Sequence, residues 1–189
     1  MTDRREFFGA LAAAAAAALL PRAARASEAA LRPPGALPPG QFEEACIGCF
    51  RCAEVCPPKA IRFPSTFSLE AIHPFIAPRE AACILCMRCT AVCPTDALVK
   101  VAATPTAISA SVRMGTPVLQ RNKCLPWSGR GICRLCYYVC PYAGVAVELV
   151  GPSLAPLFHP QACVGCGLCE EACPDEADAI RIRVGAQAP

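Results

Sequence analysis

Sixteen cysteines in 189 residues constrain this chain more than any other feature, because they fall into four groups of four. The first is CIGCFRCAEVCP, with Cys46, Cys49, Cys52 and Cys56. The second is CILCMRCTAVCP, with Cys83, Cys86, Cys89 and Cys93, and the fourth is CVGCGLCEEACP, with Cys163, Cys166, Cys169 and Cys173. All three share the spacing C-x2-C-x2-C-x3-C-P. The third group, CLPWSGRGICRLCYYVCP, is widened: eight residues separate Cys124 from Cys133, and Cys136 and Cys140 then follow in the usual steps. The first cysteines of successive groups lie 37, 41 and 39 residues apart, so the chain is an internal repeat.

Three chemistries use cysteines in such numbers. Disulfides suit an exported chain with an even count, but thiols this crowded cannot pair among themselves without strain. Structural zinc takes two C-x2-C pairs separated by a longer loop, not four ligands within eleven residues. Clusters of the [4Fe–4S] type, as in bacterial ferredoxins, use this same run ending in C-P. Three intact copies and one variant therefore predict four [4Fe–4S] clusters, with the sixteen cysteines as iron ligands.

The spacing has a physical reason. C-x2-C-x2-C curls the backbone so that three thiolates converge while nearby N–H groups point at the sulfurs. Gly48, Gly165 and Gly167 permit that close approach. C-x3-C places the last two cysteines one helical turn apart on one face. In two-cluster ferredoxins the fourth cysteine serves the other cluster. Pro57, Pro94, Pro141 and Pro174 then end the turn.

Short apolar stretches follow each group, at 60–63, 97–101, 145–150 and 179–184, and the last two alternate as edge strands do. The stretches from Pro74 and from Ala155 are their expected partners. The fold class is α+β: a small, loop-rich, ferredoxin-like polyferredoxin of two two-cluster [4Fe–4S] modules with short antiparallel strands. Expected boundaries are a lead-in at 27–40, a module at 41–102, a linker at 103–116, a module at 117–185 and a tail at 186–189. Groups one with two and three with four form one possible pairing, and one with four and two with three the other.

Residues 1–26 have the layout of an export signal. Arg4 and Arg5 precede a twelve-residue apolar run, Gly9 to Leu20, and Ala24-Arg25-Ala26 offers a cleavage position before Ser27. The run is shorter than the roughly 20 residues a membrane span needs. Arg4-Arg5 with Phe7-Phe8 resembles a twin-arginine (Tat) signal, although Asp3 stands where Ser or Thr is more usual. A plain Sec signal also begins with basic residues, and retention as an uncleaved anchor is a further alternative. The cysteines favour Tat, since that route carries folded, cofactor-loaded proteins whereas Sec threads an unfolded chain. The periplasm is the expected location.

Without residues 1–26 the formal charge falls from +3 to +1, as four arginines and two acids are removed. That argues against nucleic acid or a membrane surface as partner, both of which call for a basic excess. With 20 prolines, 12 glycines and 6% aromatic residues, the core is too small to offset chain entropy without a covalent or metal framework.

With these features assembled, the chain resembles the periplasmic ferredoxin-type proteins NapG and MauM. The likeness is carried by the Tat-like signal, LRPPGA at 31–36, the four cysteine groups, and RMG at 113–115 before the widened third group. The resemblance implies electron transfer from a membrane-bound polyferredoxin or quinol-oxidising subunit. The acceptor would be periplasmic, a c-type cytochrome or a terminal reductase or dehydrogenase of nitrate-reductase or methylamine-utilisation type. Two alternatives are the iron–sulfur subunit of a molybdopterin oxidoreductase and a maturation factor for a periplasmic redox enzyme.

No nucleophile, general base or phosphate loop is evident, so no substrate site and no enzyme activity of its own are expected. No transmembrane segment is expected after the signal. His73 and His159 read as surface residues, Arg51 and Arg88 as solvated charges, Trp127 as a cap over the third group, and Tyr137, Tyr138 and Tyr142 as packing around it. Residues 101–150 carry +4, and residues 151 onward −3, with Glu170, Glu171, Asp175, Glu176 and Asp178 in or after group four. These stretches are expected to form opposite docking faces.

Overall fold

The computed structural model describes residues 30–64 and 73–185. The expected signal, the start of the lead-in and the tail at 186–189 lie outside the described residues. Regular structure comes in short pieces, as the proline and glycine content requires. The helices are α1 (Gln41–Ala45), α2 (Arg51–Glu54), α3 (Arg88–Ala91), α4 (Pro105–Ser111), α5 (Leu135–Tyr138) and α6 (Leu168–Glu171). The strands are β1 (Ile61–Arg62), β2 (Phe75–Ile76), β3 (Thr116–Leu119), β4 (Val147–Val150), β5 (Ala155–Phe158) and β6 (Ile180–Arg183). Among the described residues, no helix is long and apolar enough to cross a membrane.

Strand pairing follows one rule. The strand before one cysteine group pairs, antiparallel, with the strand after its neighbour. β1 pairs with β2 (Ile61 opposite Ile76), β4 with β5 (Val147 opposite Phe158), and β3 with β6 (Thr116 opposite Arg183). The fourth pair is reduced to a bridge between Ala36 and Leu98. Backbone bonds flank it, from Leu37 N to Ala97 O (3.1 Å) and from Val99 N to Gly35 O (2.7 Å). The stretch LRPPGA thus supplies the missing strand before group one. Gly35 is required there, because a side chain would meet Val99 O at 2.5 Å.

Both connecting segments are packed. In the lead-in Leu31, Pro33 and Pro34 are buried, and Arg32 pairs with Glu43 at 2.6 Å. Half of the expected linker at 103–116 is helix. Thr104 caps α4 by accepting from Ala107 N, and Pro105 occupies the first turn, where its missing N–H costs nothing. Ile108, Val112 and Met114 are buried in the same core as Leu31, Phe42 and Ile61. A second, smaller core surrounds Cys124, Cys136, Cys169 and Cys173.

The halves meet along a tight seam. Cys83 N donates to Cys166 O at 3.0 Å across it, and at the end of the linker Met114 N donates to Val164 O at 3.0 Å. Gly115 of the RMG segment lies so close to Gly165 that a Cβ on Gly165 would overlap the Gly115 backbone. Arg79 reaches across, donating to Glu170 O (2.9 Å) and Cys173 O (2.5 Å) and pairing with Asp175.

This seam generates a stability prediction. Gly129 and Gly165 both have left-handed φ (70° and 75°), but nothing surrounds Gly129. Gly129→Ala should cost about 1 kcal/mol from backbone strain alone. Gly165→Ala should cost about 3 kcal/mol, a melting-temperature drop of roughly 6–12 °C. Scanning calorimetry of the anaerobic, iron-loaded chain measures both, and equal losses would mean the seam is not tight.

Candidate metal centres

Each intact group is built on the same two left-handed residues. The residue before the second cysteine has positive φ (Gly48 63°, Leu85 59°, Gly165 75°), as does the residue after it (Phe50 63°, Met87 54°, Gly167 89°). The first of these turns aims its N–H at sulfur: Leu85 N donates to Cys83 Sγ and Gly165 N to Cys163 Sγ, both at 3.4 Å. The second caps the short helix that carries the third cysteine. Leucine, methionine and phenylalanine rarely adopt such angles, which cost about 1–2 kcal/mol each. Their sequence gives no sign of it.

The widened third group reaches a similar end by another route. Arg134, in the capping position, has φ −134° instead. Cys124 sits in a separate turn, where the Trp127 N–H bonds its sulfur. The indole of Trp127 donates to Pro156 O at 2.9 Å and lies beneath the Arg121 guanidinium at 4.3 Å. Trp127 packs on the core around Cys124.

The sixteen thiols gather into four tetrads. Tetrad I is Cys46, Cys49 and Cys52 with Cys93, around about 340 Å³ of empty space. Tetrad II is Cys83, Cys86 and Cys89 with Cys56, around about 310 Å³. Tetrad III is Cys124, Cys133 and Cys136 with Cys173, around about 340 Å³. For tetrad IV, Cys140 is close enough to Cys163, Cys166 and Cys169 for its charge to act on each. The fourth cysteine of every group has therefore crossed to its neighbour, one with two and three with four. Of the two pairings open in the sequence, the geometry realises the sequential one.

The cavities fit an iron–sulfur cube. Three of them share one donor set, three thiols of one group with the last thiol of its neighbour, so they suit one kind of group. Among the described residues, no three His, Cys, Asp or Glu side chains converge as for a single metal ion.

Electrostatics point the same way. Burial, reinforced by neighbouring thiols, pushes Cys83, Cys89 and Cys136 up to about 12, and Cys52 and Cys166 up to about 11, from an ordinary 9.0. Cys169 is raised as well, again chiefly by burial. Against its burial, Cys93 is held below 9.0 by the N–H groups of Leu98, Thr95 and Ala97 and the Thr95 hydroxyl. Four thiolates so placed need a cationic core to stay ionised.

The tetrads form an unbroken row. One helical turn separates Cys52 from Cys56, and Cys89 precedes Cys93 by the same step, joining I to II. Cys136 with Cys140, and Cys169 with Cys173, join III to IV in the same way. The bond from Cys83 N to Cys166 O joins II to IV. The spatial order is I–II–IV–III.

Most other expected residues fall outside this row. Arg51 and Arg88 are exposed at the starts of α2 and α3. His159 lies 3.4 Å from Glu148, and His73 packs edge-on to Phe42. Tyr138 stacks edge-on to Tyr137, and the Tyr142 hydroxyl donates to Pro105 O at 3.2 Å. Part of the acidic stretch expected as a docking face is engaged within the molecule, while Glu171 and Glu176 are exposed. Glu170 is buried and accepts from Ile182 N at 2.6 Å. Asp175 pairs with Arg79, and Asp178 pairs with Arg181 at 2.5 Å and with Lys123 at 4.0 Å.

One-turn helices, short antiparallel strands and four-thiol cavities define a small iron–sulfur protein of the 4Fe–4S ferredoxin type, carrying several clusters. A family model for the 4Fe-4S dicluster domain matches residues 45–97 and again 82–145, and one for the 4Fe-4S binding domain matches 156–177. The 82–145 match joins groups two and three, which the geometry keeps apart, so it reflects the repeat rather than shared thiols. The chain is 35% identical to "Methylamine utilization ferredoxin-type protein MauM" of Paracoccus denitrificans, over 88% of this chain and 76% of that protein. It is 33% identical to "Ferredoxin-type protein NapG" of Escherichia coli, over 92% of this chain and 79% of that protein. A second MauM, from Methylorubrum extorquens, is 35% identical over 91% of this chain and 80% of its own. The chain belongs to the NapG and MauM family of ferredoxin-type iron–sulfur electron-transfer proteins.

Iron removal should expose the thiol electrostatics. A thiol raised from 9.0 to about 12 holds its proton when folded and releases it when unfolded. Its contribution to stability is complete below pH 9 and is lost as pH rises towards 12. The iron-stripped, reduced chain should be less stable than the loaded one at every pH, and its urea midpoint should fall further between about pH 8 and about pH 11. The loaded chain, with its thiolates bound to iron, should not show that fall.

Proposed function

We propose that this chain is a periplasmic electron-transfer protein carrying four [4Fe–4S] clusters. It relays electrons from a membrane quinol-oxidising partner to a periplasmic redox enzyme of nitrate-reductase or methylamine-utilisation type. The observation that carries this reading is the unbroken row of four-thiol cavities running through both halves. Cys46, Cys49, Cys52 and Cys93 hold one cluster, and Cys56, Cys83, Cys86 and Cys89 the second, in a module at 41–102. Cys124, Cys133, Cys136 and Cys173 hold the third, and Cys140, Cys163, Cys166 and Cys169 the fourth, in a module at 117–185. The bound clusters supply one-electron redox chemistry, over a class range of about −700 to +450 mV.

The protein's residues do the rest. N–H groups of Leu85 and Gly165 bond cysteine sulfurs, which favours the more negative state and tunes potential. Buried Val164, Gly165 and Gly167 keep water from tetrad IV. Among the described residues no group is placed to position a substrate; the chain acts as a redox subunit, and a membrane partner handles quinol. The Tat-like signal fits this assignment, since thiols interleaved across two groups must be assembled before export.

Iron content tests the ligand sets. The wild-type chain, purified anaerobically, should hold about 16 iron and 16 acid-labile sulfide. Cys46→Ser/Cys93→Ser empties one site and should leave about 12, whereas Cys46→Ser/Cys56→Ser empties two and should leave about 8. Equal values for the two doubles would refute the crossing. In a deletion strain, quinol-driven activity of the periplasmic enzyme should fall while its activity with a reduced viologen dye persists. Loss of both would indicate maturation instead.

A further inference from the structure

The interior of the row and its tetrad III end differ in what they show to solvent. The residue after the first cysteine of group four, Val164, is 1% exposed and faces the seam. Ile132, just before Cys133 at the tetrad III end, is 67% exposed, and Tyr138 is 65% exposed. Leu135 is exposed and also lines the tetrad III cavity, so this surface and that cavity share a wall. Leu135 and Tyr138, three residues apart on α5, lie on the same helix face.

The charge at this end is one-sided. Arg121, Arg130 and Arg134 are all exposed. Arg121 lies over Trp127, Arg134 lies 5.4 Å over Tyr138, and Arg130 bonds the Ser128 hydroxyl and Lys123 O. None of the three forms an ion pair among the described residues. Glu148, the one acid in residues 101–150, is engaged by His159. At the tetrad I end, Ile47 and Phe50 are also exposed, but Phe50 stacks on Phe63 and the charges are mixed, with Glu44 and Glu54 beside Arg51 and Lys59.

We propose that the arginine-ringed apolar surface of Ile132, Leu135 and Tyr138 is a docking face for an electron-exchange protein whose redox centre lies in an acid-rimmed patch. This rests on the electron-transfer reading above and adds which end of the row meets such a partner. The arginines steer and orient an acidic partner, and the apolar centre excludes water next to tetrad III. A contact through this face places the partner beside the last tetrad of the row. The nine-residue step from Cys124 to Cys133 creates the face, because the loop it frees carries Arg130 and Ile132.

The probe is cytochrome b5, an acidic soluble redox protein, titrated calorimetrically into the iron-loaded chain. Basic cytochrome c serves as comparator. Binding of cytochrome b5 should weaken with salt, and Arg121→Glu/Arg134→Glu should weaken it at least tenfold at low ionic strength. Glu44→Lys/Glu54→Lys, at the other end, should leave it within about twofold. Ile132→Ser, which removes no charge, should weaken it and leave the salt slope intact. Iron and sulfide assays on every variant keep the two proposals separate. A chain without clusters refutes the functional reading, whereas a loaded chain whose cytochrome b5 affinity ignores the arginines refutes the docking face alone. Tighter binding of cytochrome c than of b5 would also overturn it. So would a dimer of this chain that the arginine reversal dissociates, or binding to phosphatidylglycerol vesicles that it abolishes.

Discussion

One helical turn between the third and fourth cysteine of each group governs the rest of the structure. The third thiol stays with its own loop and the fourth leaves for the neighbouring one, so no cavity is completed by a single group. This interdependence fixes the strand pairing, because each loop must lie against the one that completes it. It also brings neighbouring tetrads together without any added element. Proline after the fourth cysteine then turns the chain into the strand that seals the pair.

Burial of so many thiols would oppose folding if they had to ionise in an empty cavity. Five of them are raised to about 11 or 12 by burial and by one another. The fold is thus coupled to its metal: the chain provides short strands and tight turns, and iron provides the charge that lets the thiolates coexist. The small apolar cores, one around Phe42 and one around Cys124, position the loops more than they hold the molecule together.

Much of this was legible in the sequence, and for identifiable reasons. Cysteine spacing specified the kind of cluster, and alternating stretches such as 179–184 specified strands, because both signals are local. What was not legible was non-local. Thr104-Pro105 is a helix-start signature, yet the polar run after it read as a linker, since only tertiary contacts bury Ile108 and Val112. Nothing local told that Glu170, Asp175 and Asp178 are engaged, because the Arg79 that reaches them lies nearly a hundred residues away. Which groups exchange thiols could not be read either, as both pairings use the same sixteen residues. The left-handed turns at Phe50, Leu85 and Met87 were invisible because the loop imposes them against residue preference.

The glycine-on-glycine contact between Gly115 and Gly165 has a consequence for how such a chain changes over generations. Two ferredoxin-like halves joined by a free tether could be exchanged, lost or recombined as separate pieces. Here the backbone at the end of the linker rests on the backbone of the group-four loop, with no side chain between them to absorb a misfit. A foreign second half would have to keep a bare glycine at that point. A side chain at either glycine would therefore be felt in the linker as well as in the cluster loop.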